Sequence, residues 1–187
     1  MKPSETAIAL GSNLPSDGGD PTEILHSACR ALTGKGLMIR AISRFFRTPC
    51  FPPGAGPDYV NGVVVLRTDR SPKEVLRLLH EIEGEAGRVR RERWAARVLD
   101  LDLIAMDGTI LPSAEVQERW RTLPLEHQVS EAPPELILPH PRLQDRAFVL
   151  VPLADVMPQW RHPLLGLNVA EMLERLPAKD RAEIIPL

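Results

Sequence analysis

Two periodicities divide most of this chain into elements: runs of buried-type residues with strand character, and apolar positions recurring every three or four residues. Thr6–Leu10 (TAIAL) reads as a buried strand stopped by Gly11-Ser12-Asn13. Asp20 then caps a helix running to about Leu32, with Pro21 at its first position. A turn at Gly34–Gly36 leads to Leu37–Arg47, which reads as a second strand, and Tyr59–Thr68 reads as a third. Pro49–Pro57 between them is too long for a tight hairpin and rich in proline and glycine, so it is a candidate substrate loop. Ser71 opens a second helix with Pro72 at its first position and Glu74 at its third. Val75, Leu76, Leu79 and Ile82 form its apolar stripe, and Gly87 ends it. Arg97–Met106 completes the series as a fourth strand, with Asp107-Gly108 turning the chain into Thr109–Leu111.

The order βαββαβ predicts an α+β fold of ferredoxin-like kind, with two helices packed on one face of an antiparallel sheet. Beyond this core lies a less regular C-terminal extension. Pro112–Pro134 reads as an irregular excursion with one short helix over Ala114–Arg121. Leu136–Arg146 places a histidine between two prolines, Phe148–Leu153 reads as a short apolar strand, and Asn168–Leu176 as a terminal helix. No internal repeat or shift in composition divides the chain, so residues 1–187 are expected to form a single domain.

Composition narrows the function classes. A hydrophobic content of 43% is enough for a sizeable core, and a net charge of −2 argues against broad nucleic-acid binding. Two cysteines without metal-type spacing fit a reduced compartment. The N-terminal apolar run is too short for a signal peptide, and no stretch approaches membrane-spanning length. A cytoplasmic protein with small-molecule substrates, acting as a monomer and without nucleic-acid or membrane partners, is the expectation.

Positive charge is instead concentrated in Gly87–Leu103, GRVRRERWAARVLDLDL, where Arg88, Arg90, Arg91, Arg93 and Arg97 surround Trp94 and lead into two alternating aspartates. Residues i and i+2 of a strand share a face, so Asp100 and Asp102 should project together, about 7 Å apart, while Leu99, Leu101 and Leu103 point into the core. Two carboxylates so placed suit Mg²⁺, which completes its shell with water and substrate phosphates. Guanidinium groups match phosphate oxygens from the other side. Each half has an ordinary structural alternative: an arginine run is commonly a solvated face, and Leu/Asp alternation is the usual pattern of a half-exposed strand. Adjacency of the two favours polyanion and metal chemistry. His140, Tyr59 and Asn61 are ordinary residues on their own and gain interest only from their setting. No Walker A pattern is present, so phosphoryl transfer would need another scaffold.

Taken together, these segments resemble the 6-hydroxymethyl-7,8-dihydropterin pyrophosphokinase family. The resemblance rests on Ala9-Leu10-Gly11-Ser12-Asn13-Leu14, Arg47-Thr48-Pro49, Asp58-Tyr59-Val60-Asn61 and Ile82-Glu83 followed by Gly87-Arg88-Val89-Arg90. It continues through Arg93-Trp94, Arg97-Val98-Leu99-Asp100-Leu101-Asp102, Pro139-His140-Pro141-Arg142 and Arg146-Ala147-Phe148-Val149-Leu150. It implies an ATP-dependent diphosphotransferase of folate biosynthesis that releases AMP.

By the same resemblance, Asp100 and Asp102 would hold two Mg²⁺ ions. Arg88, Arg97 and His140 would contact the phosphate chain, and Arg146 would reach toward the reacting groups. Arg90, Arg93 and Trp94 would belong to a closing loop, with His80, Glu83 and Leu103 on the nucleotide side. Tyr59 and Phe148 would stack on the pterin, with Asn61 and the stretch Thr48, Pro49, Cys50 and Phe51 reading its polar edge. Trp94-Ala95-Ala96-Arg97 departs from the family's common Trp-Gly-Pro-Arg and removes a Gly–Pro turn. Two other readings remain at this point: a palm-like metal-dependent nucleotidyl transferase, and a ferredoxin-like RNA-binding module.

Overall fold

A computed structural model describes residues 2–13, 20–50, 56–87, 98–124, 127 and 131–187. Strand β1 (Ser4–Ser12) is longer than its apolar run, because its neighbours on both sides extend it through Gly11. It is followed by α1 (Pro21–Gly34), β2 (Met38–Ile42), β3 (Phe46–Thr48), β4 (Tyr59–Thr68), α2 (Pro72–Glu85) and β5 (Asp100–Met106). The sheet is antiparallel in the order β5-β1-β4-β3-β6, where β6 is Ile185–Pro186, with β2 pairing along the rest of the same β4 edge. This is the expected ferredoxin-like arrangement, with both predicted helix starts in place. The Asp20 carboxylate accepts from the N–H groups of Thr22 and Glu23, and Ser71 and Glu74 form a reciprocal capping box.

The segment expected as one strand, Leu37–Arg47, is two. The break falls at Ser43–Phe45, where the Ser43 hydroxyl accepts the Val63 N–H at 2.9 Å in place of a ladder carbonyl. Phe45 turns into the core. Thr109–Leu111 adds no strand; Leu111 makes only an isolated bridge to Leu138.

The larger correction lies at Phe148–Leu153. This apolar run is not a strand but the middle of helix α4 (Ala147–Val156), which comes after α3 (Ala114–Arg121) and a single 3₁₀ turn at Leu143–Asp145. A short, uniformly apolar run carries no periodicity that distinguishes a buried helix from a buried strand. Burial decides it here: Ala147, Val149, Leu150, Pro152 and Leu153 are all buried. Helix α5 (Val169–Arg175), capped by Asn168, packs beside it. It is not terminal, since α6 (Ala178–Ala182) and β6 (Ile185–Pro186) return the chain to the β3 edge.

The sheet is therefore covered on both faces. Ile8, Leu10, Val64, Leu66, Leu101 and Leu103 pack under α1 and α2, while Ala7, Val63 and Ile104 pack under α4 and α5. Among the described residues no helix is long and apolar enough to cross a membrane.

Candidate active site

Alternation along three adjacent strands places polar residues on the α4/α5 face beyond the end of those helices. In register, Gly11 of β1 stands opposite Asn61 of β4 on one side and Asp100 of β5 on the other. Ala9 stands opposite Asp102. The two aspartates share a face, as their spacing predicts, and both are half-buried while Leu99, Leu101 and Leu103 are buried in the core.

Gly11 is needed for close approach. A Cβ there would lie 2.8 Å from Asn61 Oδ1 and 3.9 Å from Tyr59 Cδ1, so any side chain would displace the Asn61 amide. That amide is fixed from its other end, where Nδ2 donates to Thr48 Oγ1 at 2.6 Å. Thr48 and Asn61 are thus brought together, both buried, with Tyr59 half-buried beside them. Pro49 is exposed and Cys50 half-buried as a free thiol.

The N-terminus of α4 brings in the next residues. Arg146 caps it, and its guanidinium Nη1 lies 4.0 Å from Asp102 Oδ2, a long contact between partly exposed groups. The same guanidinium sits 5.5 Å above the ring of Phe148, which is 39% exposed and so leaves one face available. Arg146 therefore links the carboxylate pair to an aromatic surface.

His140 approaches along the outer edge of β5, where its N–H donates to the Ile104 carbonyl at 2.8 Å. Its Nδ1 accepts the Arg142 N–H at 3.1 Å. Burial, reinforced by the guanidinium charges of Arg146 and Arg142, lowers the imidazole to a pKa of about 3. The ring is neutral at physiological pH. With Nδ1 accepting, its proton sits on Nε2, which makes it an uncharged donor.

Glu83 is buried, and its Oε1 accepts the Leu101 N–H at 2.9 Å, tying α2 to the edge strand that carries both aspartates. His80, one turn earlier, is exposed and lines a shallow groove of about 470 Å³ with Leu76, Arg77, Glu135 and Leu136. The side chain of Leu103 belongs to the core under α1 and α2, which leaves only its main chain for contact with a nucleotide. A second hollow of about 670 Å³, between α1, α2 and Val98–Leu99, is lined by none of the predicted site residues. Arg88, Arg90, Arg93, Trp94, Arg97 and Phe51 lie outside the described residues.

Among the described residues no cluster of three or more histidine, cysteine or carboxylate side chains could hold a metal. A pair of aspartates fits Mg²⁺ best, since that ion retains several waters and takes phosphate oxygens as ligands. Two structural features are not visible in the sequence: the bare position that Gly11, there a strand stop and part of the Ala9–Leu14 motif, provides beside Asn61, and the bond from buried Gln117 to the Pro139 carbonyl. The strand register is the missing signal for the first. Nothing in the sequence marks the second.

Comparison with known proteins identifies the family to which this chain belongs. The family model described as 7,8-dihydro-6-hydroxymethylpterin-pyrophosphokinase matches residues 7–158. The chain is 37% identical to the 2-amino-4-hydroxy-6-hydroxymethyldihydropteridine pyrophosphokinase of Synechocystis, covering 90% of this chain and 74% of that one. It is 35% identical to the protein of the same name from Pseudomonas aeruginosa, covering 91% and 95%. The crystal structure of wild-type Plasmodium falciparum HPPK-DHPS superposes with a TM-score of 0.61 at 14% identity, which shows a shared fold. That match covers 93% of this chain and 45% of the Plasmodium one, so the present chain spans under half of its length. On the family match and these identities, the chain belongs to the 7,8-dihydro-6-hydroxymethylpterin-pyrophosphokinase family.

Proposed function

We propose that this protein transfers the diphosphate of ATP to the hydroxymethyl group of 6-hydroxymethyl-7,8-dihydropterin, releasing AMP, in folate biosynthesis. The observation that carries this reading is the single polar row across β4, β1 and β5, in which Asn61, Gly11 and Asp100 are register neighbours and Asp102 comes next on the same face. One end of the row offers the Asn61 amide and the Tyr59 ring for a flat heterocycle, and Phe148 adds a second ring beside Arg146. The other offers carboxylates and cations for a phosphate chain.

In this reading Tyr59 and Phe148 stack on the pterin, while Asn61 and the stretch Thr48, Pro49, Cys50 and Phe51 read its polar edge. Asp100 and Asp102 would hold two Mg²⁺ ions, which supply charge neutralisation of the phosphate oxygens when bound. Arg146 stabilises charge on the transferring group, and neutral His140 donates from Nε2 to a phosphate oxygen. Arg88 and Arg97 act on the phosphate chain from the segment that also carries Arg90, Arg93 and Trp94. His80 and the apolar floor of Leu76 and Leu136 suit the purine base, and Glu83 acts by holding β5 in place.

The pterin hydroxyl oxygen forms a bond to the β-phosphorus as the bond from that phosphorus to the AMP oxygen breaks, and the hydroxyl proton passes to solvent. Asp100 accepts a hydrogen bond from the attacking hydroxyl, so the reaction relies on positioning and electrostatics more than on a strong base. The enzyme acts as a cytoplasmic monomer. The test is AMP formation from ATP with and without the pterin. Stoichiometric AMP and diphosphorylated pterin are expected, whereas pyrophosphate release from ATP, or no AMP in the presence of the pterin, overturns the proposal.

A further inference from the structure

None of the predicted site residues lies in the excursion that begins at Pro112, yet its helix reaches the loop that carries His140. Leu111 and Leu138 close its base with reciprocal backbone hydrogen bonds of 2.9 and 3.1 Å. Helix α3, whose Ser113 cap accepts the Val116 N–H, then folds back over that stem. From this helix Gln117 enters the interior, 0% exposed, and its Nε2 donates to the Pro139 carbonyl at 3.2 Å. Pro139 directly precedes His140, whose own N–H is held by Ile104 of β5.

The chemistry of this position is informative. Among the described residues Gln117 Oε1 is buried without a hydrogen-bond partner, so only the donor half of the amide is satisfied. Leaving a buried carbonyl unpaired is unfavourable, and a position that needed only filling would be more stable with an apolar side chain of similar volume. A glutamine is therefore explained by the one bond it makes. That bond fixes the main chain on one side of His140, and the Ile104 contact fixes it on the other.

We propose that Gln117 is a positioning residue for the nucleotide site: it holds Pro139 so that the His140 ring presents its donor to the phosphate chain. The inference rests on the assignment of His140 as a phosphate contact. It also gives the excursion a role, as a brace for the loop between Leu138 and Leu143.

The test uses the full-length protein with Mg²⁺ and a non-hydrolysable ATP analogue, titrated by calorimetry, alongside steady-state kinetics. Gln117→Met, which keeps the volume and loses the donor, should weaken analogue binding about three- to tenfold, as expected for one lost hydrogen bond. KM for the pterin should change by less than about twofold, because that end of the site keeps its supports. Gln117→Asn, which keeps the amide but shortens its reach, should act in the same direction and serves if the Met variant does not fold. Asn168→Ala, which removes the cap of α5 away from the site, provides a comparison of similar destabilisation. If it weakens the analogue equally, general loosening explains the effect and the proposal is overturned. If His140→Ala weakens the analogue while both Gln117 variants bind it normally, positioning by Gln117 is wrong and the phosphate contact stands. Normal binding by His140→Ala removes the phosphate contact itself, and the inference with it.

Discussion

The two faces of the sheet are made by the same three strands and do opposite things. Toward α1 and α2, Ile8, Leu10, Leu101 and Leu103 form part of a buried, continuous core. Toward α4 and α5 the alternate positions begin the same way, with Ala7, Val63 and Ile104 covered by helix, and then change to Gly11, Asn61, Asp100 and Asp102 where the cover ends. Period-two alternation lets one strand support a core and a site at once, because a substitution on one face need not disturb the other. The closed face supplies core packing, and the open half of the other presents the candidate site.

The sharpest test of that division is charge removal on the open side. Asp100→Asn or Asp102→Asn should lower turnover by about a hundredfold or more, because each loses a metal ligand with little change of shape. Thermal stability should remain near that of the parent protein. Near-normal turnover at saturating Mg²⁺ in either variant would break the metal assignment.

One residue away, the opposite result is expected. Leu101→Ala leaves a cavity under α1 and α2 and should cost about 2–5 kcal/mol of stability in denaturant unfolding. Activity per folded molecule should be largely kept. A large loss of kcat in fully folded Leu101→Ala would mean that the two faces are coupled.

Acid provides a third probe, since two imidazoles are held neutral by their surroundings. His140 lies at the site, with a pKa of about 3; His162, 0% exposed, is lowered by burial and by Arg121 to about 4. Both folded values lie below the ordinary one, so the unfolded chain binds more protons as the pH falls. Their contribution to stability is complete above about pH 6.5 and is lost as the pH drops toward about 4 for His162 and about 3 for His140. Fully buried His162 should account for a loss of about 1–2 kcal/mol between pH 7 and pH 5. His140 keeps some solvent access and adds less. Urea midpoints across that range measure the slope, and a flat profile would show that neither ring is held neutral by the fold.

The smallest effects concern the aromatic end. Tyr59→Ala and Phe148→Ala should each weaken pterin binding by about 1 kcal/mol or somewhat more, with little change for an ATP analogue. Equal losses for both ligands in calorimetry would move these rings from the pocket to the supporting structure.

How much of this is legible in the sequence depends on the range of the interaction. Helix starts at Asp20 and Ser71 are readable because a cap is settled within four residues. The shared face of Asp100 and Asp102 is readable because it needs only the strand period. The split at Ser43 is hidden, since it depends on a hydroxyl meeting the N–H of Val63 on another strand. The family resemblance names the residues proposed for the site, but not how they are supported.

By itself the sequence determined the periodicities, and with them the βαββαβ order apart from the break at Ser43–Phe45, the helix caps and the alternation that separates aspartates from leucines on β5. Those are local properties, decided by side-chain type at spacings of two to four residues. Tertiary structure alone decided that Phe148–Leu153 coils into a helix, because a uniformly apolar run takes the form that its burial site accommodates. It also decided that Gly11 must be bare beside Asn61, and that Gln117 reaches Pro139 across an irregular excursion. Those facts depend on contacts between segments remote in the chain, where no local pattern specifies the partner.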